Sequence, residues 1–232
     1  MENLFYAPPE NFVDQVSVEI TGQEAKHISR VLRNDVGDAI DVADGQGKIF
    51  HCEISHITKK SVIATVGDIE WKPEPKTKKV LGFGAIKKRD RLEFAVEKAV
   101  ELGAWEICVF NADHSERSKI NKDRLQSIVT SAFKQSKRMW LPEVVYLNSL
   151  DKVFEYYTEY QAYMAHVDEE VEAPGNLVGN QNLLLVGPEG GFSDREVELA
   201  KSMKTKFISL GQNRLRAETA AITILAVHLF SK

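Results

Sequence analysis

Between Asn182 and Ala221 the chain runs twice from an apolar stretch, through a glycine-bearing loop, into the start of a helix. Leu183-Leu184-Leu185-Val186 breaks into Gly187-Pro188-Glu189-Gly190-Gly191-Phe192, and a helix opens at Ser193. Lys206-Phe207-Ile208-Ser209-Leu210 then breaks at Gly211, and Leu215-Arg216-Ala217-Glu218-Thr219-Ala220 leads into the last helix. Short apolar runs that alternate with helices predict a parallel sheet of the α/β class. In such sheets the loops at the carboxyl ends of the strands are where ligands bind.

The loop chemistry agrees. Gly187, Gly190 and Gly191 permit positive φ and a close approach of main chain to a ligand. Pro188 fixes one φ and removes one donor. Ser193-Asp194-Arg195-Glu196 is a capping-box pattern that sets the helix start. A tight turn with a good cap would also satisfy these residues. A second loop, carrying Arg216 and Glu218 near another glycine, favours a binding site.

A chain of 232 residues corresponds to about one and a half average domains. No apolar run reaches the roughly 18 residues of a membrane span, and Met1-Glu2-Asn3-Leu4 does not begin a secretory signal. Cys52 and Cys108 are far apart and neither lies in a CxxC pair. The sequence therefore predicts no disulfide framework, no zinc or other metal site, and a cytoplasmic setting. The net charge of −4 disfavours nucleic acid until it is divided. Residues 76–140 carry 15 Lys/Arg against 8 Asp/Glu, a local +7, whereas the segments on either side are acidic. A local basic patch matters more for phosphate binding than the total does.

Residues 1–72 read as a small β-rich domain with one helix. Thr21-Gly22-Gln23-Glu24 resembles another capping box and is followed by an apolar stripe at Ala25, Ile28, Val31 and Leu32. Strands are expected at 39–43, 48–57 and 61–69, with a hairpin at Asp44-Gly45-Gln46-Gly47. His51 and His56 read as ordinary strand residues rather than ligands. Two prolines among charges, at 71–78, form the linker. Residues 73–232 then alternate strand and helix. Gly82-Phe83-Gly84 starts like a dinucleotide fingerprint, but Lys87 stands where the third glycine belongs, which argues against a Rossmann nicotinamide site.

The paired motifs Gly187–Ser193 and Leu210-Gly211 with Leu215–Ala220 resemble those of the 16S ribosomal RNA uridine-N3 methyltransferases, the RsmE family of the SPOUT superfamily. Supporting segments are Lys88–Glu93 through Gly103, Glu116-Arg117-Ser118, Gln135-Ser136-Lys137-Arg138, and His27–Arg33 with Val36-Gly37-Asp38. The resemblance covers nearly the whole chain. It implies a PUA-like β-barrel (1–72) before a SPOUT α/β domain with a trefoil knot (73–232), a homodimer, and S-adenosylmethionine (SAM) as cofactor. It also implies methylation of a uridine near the decoding site of the small ribosomal subunit. One departure concerns Asn213 and Arg214: many family members carry arginine at the first place and an aliphatic residue at the second.

On this reading the cofactor is held by Gly187, Pro188, Glu189, Gly190, Gly191, Leu210, Gly211, Leu215, Thr219 and Ala220. Uracil N3 carries a proton that must leave. Glu189 and Glu218 are the candidate bases, and Arg216, always charged, is the candidate stabiliser of the uracil anion. Glu189 could equally tie down its own loop. Expected RNA contacts are Arg30, Arg33, Lys87, Lys88, Arg89, Arg117, Lys137 and Arg138. The alternatives are a SPOUT enzyme for another RNA, such as transfer RNA, and a non-catalytic PUA-like RNA-binding protein.

Overall fold

The structure, a computed structural model, describes residues 3–116, 120–167, 177 and 179–227. It contains two compact units, Met1–Glu74 with Phe133–Leu141 and Pro75–Ala132 with Pro142–Lys232.

The first unit has strands β1 (Leu4–Tyr6), β2 (Phe12–Val13), β3 (Ser17–Thr21), β4 (Ala39–Ala43), β5 (Lys48–Ile57) and β6 (Ser61–Trp71), with helix α1 (Gly22–Lys26) between β3 and β4. They form one sheet in the order β1-β4-β5-β6-β3-β2. Only β1 and β4 pair in parallel. Register shifts between Phe50 and Cys52 and between Ile54 and His56 bend the two longest strands, as bulges do. Phe5, Val18, Ile20, Ile28, Val42, Phe50, Ile54 and Val62 share one core. The hairpin forms as expected, with Asp44 Oδ1 accepting from the Gln46 and Lys48 amides at 2.7 and 3.0 Å. His51 pairs across the strands with Asp41, Nδ1 to Oδ1 2.7 Å.

Two expectations for this unit need correction. The capping box at Thr21 does not form. Gly22 has φ +64°, outside helical space, and the Thr21 side chain caps nothing. Glu24 instead ion-pairs with Lys134 and accepts from the Tyr6 amide at 3.4 Å. The apolar stripe is also interrupted. Ala25 and Ile28 are buried, whereas Val31 is 68 % exposed. The chain from His27 to Val31 is a π-helical turn, whose i→i+5 bonding rotates later residues off a 3.6-residue stripe.

The second unit begins at β7 (Lys78–Gly84) and continues with α2 (Arg89–Glu101), β8 (Glu106–Phe110), α3 (Lys122–Gln135), β9 (Glu143–Leu147) and α4 (Leu150–Tyr156). Then come β10 (Gln161–Ala165), β11 (Gln181–Val186), α5 (Asp194–Ser202), β12 (Lys206–Ile208) and α6 (Ala217–Val227). The strands make a sheet in the order β12-β10-β11-β7-β8-β9, every pair parallel. The α/β expectation is therefore met. Asn182–Val186 of β11 is buried throughout, as a central parallel strand covered on both faces must be. The strand order reverses between β7 and β11, which makes the carboxyl ends there a switch point. Helix α6 packs on α2, β7 and β11. Ile224 of α6 is wholly buried within its own unit.

The capping box at Ser193 forms in full. Ser193 Oγ accepts from the Glu196 amide at 3.2 Å, and Glu196 Oε2 accepts from the Ser193 amide at 2.9 Å. Glu196, 0 % exposed, also accepts from the Asp113 amide through Oε1 at 3.1 Å. One carboxylate thus joins the end of the glycine loop to the segment after β8. Glu196→Ala would leave these amides without acceptors, and we expect it to lower stability by about 2–3 kcal/mol. Urea unfolding measures this; a loss below about 0.5 kcal/mol, the size of an ordinary surface change, would refute it.

Candidate functional site

The glycine loop after β11 and the segment after β12 face each other at the carboxyl edge of the parallel sheet and enclose a cleft of about 580 Å³. That is the size of a small-molecule or cofactor site. Val186, Leu210, Leu215, Ala217 and Ala220 give it an apolar lining, and Arg91, Glu189, Arg214 and Arg216 supply charge. The end of β10 contributes Ala165, His166 and Val167.

Of the ten residues expected to hold a cofactor, Gly187, Pro188, Glu189, Gly190, Gly191, Leu210, Gly211, Leu215 and Ala220 line this cleft; Thr219 does not. Arg216 lines it with an exposed side chain. Glu218 does not line it: it is buried, with Oε1 3.5 Å from Arg91 Nε.

The glycine loop is tied down on three sides. Glu189 Oε1 accepts from the Lys87 amide at 3.2 Å. Glu189 O accepts from Arg214 Nη2 at 3.3 Å, and Gly190 O lies 3.2 Å from His114 Nδ1. A carbonyl only accepts, so this contact places the proton on Nδ1 of His114. Gly190 is glycine for a reason unforeseen in the sequence: a Cβ there would stand 2.9 Å from His114 Cβ. The close approach is to protein. Gly191 and Gly211, at φ +73° and +127° with nothing within 4 Å of a built Cβ, are the cleft glycines that leave room for a ligand. Asp113, beside the loop, binds Arg195 and Ser193. These bonds, the one from Arg195 first, pull its carboxyl down to about 2.

The expected RNA contacts fall into two sets. Lys87, Lys88 and Arg89 are exposed on the turn from β7 into α2. Arg30, Arg33 and Lys137 are exposed on the first unit; Arg138 is half-buried there, and burial pulls its guanidinium down to about 10. Arg117 lies outside the described residues. Among the described residues no helix is long and apolar enough to cross a membrane, and no three side chains form a metal-ligating group.

Sequence reasoning missed Arg91 and the residues at the end of β10. The signal for Arg91 was its place in the first turn of α2. Nothing local indicated that α2 would lie against α6.

Comparison with known proteins accords with this geometry. Residues 73–229 match the RNA methyltransferase domain family, and residues 20–67 match the RNA methyltransferase PUA domain. The chain is 33 % identical to ribosomal RNA small subunit methyltransferase E of Rickettsia conorii, over 90 % of this chain and 88 % of the relative. It is 30 % identical to the Bacillus subtilis protein of the same name, over 89 % and 87 %. Among solved structures, a Porphyromonas gingivalis protein described as an rRNA-methyltransferase superposes with TM-score 0.84 at 34 % identity, covering 96 % of this chain and 95 % of that one. A Legionella pneumophila protein described as a methyltransferase, solved with SAM bound, superposes with TM-score 0.84 at 27 % identity, covering 97 % and 95 %. With an RNA methyltransferase family matched over residues 73–229 and relatives matched along most of their length, the chain belongs to the ribosomal RNA small subunit methyltransferase E family.

Proposed function

We propose that this chain transfers a methyl group from SAM to N3 of a uridine in 16S rRNA of the small ribosomal subunit. The observation that carries this reading is the cleft between the two glycine-bearing loops, in a chain of this family. Its lining fits the cofactor. Val186, Leu210, Leu215 and Ala220 offer apolar surface to a nucleoside, and the open space at Gly211 lets main chain approach it. SAM supplies a methyl already activated by its sulfonium; the protein's task is to position the reactants and manage one proton.

In this reading Glu189, Glu218 and Arg216 take different roles. Glu189 serves as a loop tie, because its carboxylate already accepts from the Lys87 amide. Glu218 is withdrawn from the cleft against Arg91. Arg216 makes no side-chain hydrogen bond or ion pair among the described residues and is free to hold the negative charge that develops on uracil. With Arg91 paired to Glu218, the lining still carries Arg214 and Arg216 against one glutamate, Glu189, a balance that favours the uracil anion and its proton's departure to water.

The first unit and the turn at Lys87–Arg89 bind the RNA in this reading. In this reading the last crossing, from β12 at the sheet edge back to α6 beside β7, would be the pass that closes the trefoil knot. Two copies associate through α2 and α6, where Phe94 and Val227 remain 45 % and 39 % exposed.

The decisive experiment incubates the purified chain with SAM and small subunits from a strain lacking this activity, then maps methylated nucleosides by mass. N3-methyluridine at one position of 16S rRNA is expected; its absence, or a mark on transfer RNA alone, refutes the reading. A pair of variants separates binding from chemistry. Ala220→Leu fills the cleft from a helix position that tolerates leucine, so SAM affinity should collapse while the thermal midpoint holds. Arg216→Ala should retain SAM affinity and lose about 10²-fold in single-turnover rate, the scale of one electrostatic stabiliser. Charge reversal at Lys88 and Arg89 should weaken RNA binding and lower its salt dependence by about one unit of slope per lost phosphate contact. SAM affinity falling in parallel would mean the two residues act on the fold.

A further inference from the structure

Helix α2 brings one more cation to the cleft. Arg91 lines it with a side chain 27 % exposed, and its Nε lies 3.5 Å from Glu218 Oε1. Glu218 is 9 % exposed, and its second oxygen, Oε2, has no hydrogen-bond partner among the described residues. A carboxylate so buried and so poorly hydrogen-bonded is tolerated only beside a fixed opposite charge. Arg91 is that charge, and the pair holds the guanidinium through Nε. The two Nη groups find no acceptor among the described residues. Helices α2 and α6 thus present a half-buried fork of N–H donors that the protein itself leaves unused.

A guanidinium fork matches a carboxylate or phosphate in shape and charge. We infer that Arg91 binds the carboxylate of the cofactor's amino-acid end, with Glu218 as the positioning residue behind it. This rests on the SAM reading above. The depth of the site selects the anion. Arg214 and Arg216 are exposed, as are Lys88 and Arg89, and a polymer's phosphates meet such groups first. Arg91 is recessed beside Ala217 and Ala220, where the end of a small molecule can reach. Every part of SAM then has a counterpart: apolar lining for the nucleoside and a cation for the carboxylate. Glu218 acts on the cofactor only through Arg91, which removes it from the candidate bases.

The test compares two ligands by calorimetry on the full chain. SAM carries the carboxylate; 5′-methylthioadenosine keeps the nucleoside and sulfur but lacks the amino-acid end. Arg91→Gln should weaken SAM about 10- to 100-fold, the range of a charge-assisted hydrogen bond, and leave methylthioadenosine affinity unchanged. Arg91→Lys, which keeps charge without the fork, should fall between. Glu218→Gln should show the same selective loss, smaller in size, where a merely structural defect would weaken both ligands alike. Equal losses for the two ligands, or none, overturn the proposal. So does intact SAM affinity with weakened RNA binding, which would give the fork to a phosphate. A wild-type chain that binds neither ligand would instead refute the SAM reading itself.

Discussion

Parallel strands can be joined only by crossovers, and that requirement governs the second unit. Each crossover returns the chain to the same starting edge, so every strand ends on the opposite one. The loops after β10, β11 and β12 therefore meet, though they are far apart in sequence. The cleft is their meeting place. What remains is to hold the loops in shape without filling the space. The structure does this with the Lys87 amide and His114 from outside the cleft and Arg214 from its wall, each bound to the glycine loop, and buried Glu196 anchors its far end. Such bracing is what preorganised sites require.

The parts of this arrangement readable from sequence were those with a local cause. The β11 run, the Ser193 capping box and the strand break at Gly187 are set by neighbouring residues and appear where expected, whereas β12 ends at Ile208, two residues before the expected end at Leu210. Expectations failed where tertiary contacts decide. Thr21 and Glu24 have the spacing of a capping box, but Gly22 adopts φ +64° and Lys134 claims Glu24. Gly190 lines the cleft as expected, but it is the packing of His114 against it that leaves no space for a Cβ. Arg91 was hidden for the same reason: α6 settles on α2 and places Glu218 behind it. Spacing along a helix gives its faces, but not which helix covers them.

The basic middle segment shows how a charge count must be revised once partners are known. Residues 76–140 carry a formal +7, yet many of their cations are engaged. Arg124 binds Glu93 at 3.0 Å, Lys98 binds Glu97 and Glu101 at 2.7 Å, and Lys122 lies 3.7 Å from Glu143. The turn from β7 into α2 differs in kind. Lys87 pairs with Glu116 at 2.6 Å, but both side chains are more than 60 % exposed. Arg89 uses only Nε on Glu93. Exposed pairs of this sort contribute little to stability, so a phosphate could displace them at little cost. The neighbouring Glu189 tie uses the Lys87 backbone amide, so the ammonium can change partners without loosening the glycine loop. In the proposed function, a phosphate on this turn and the cofactor in the cleft would thus draw on Lys87 through different atoms, the ammonium and the backbone amide.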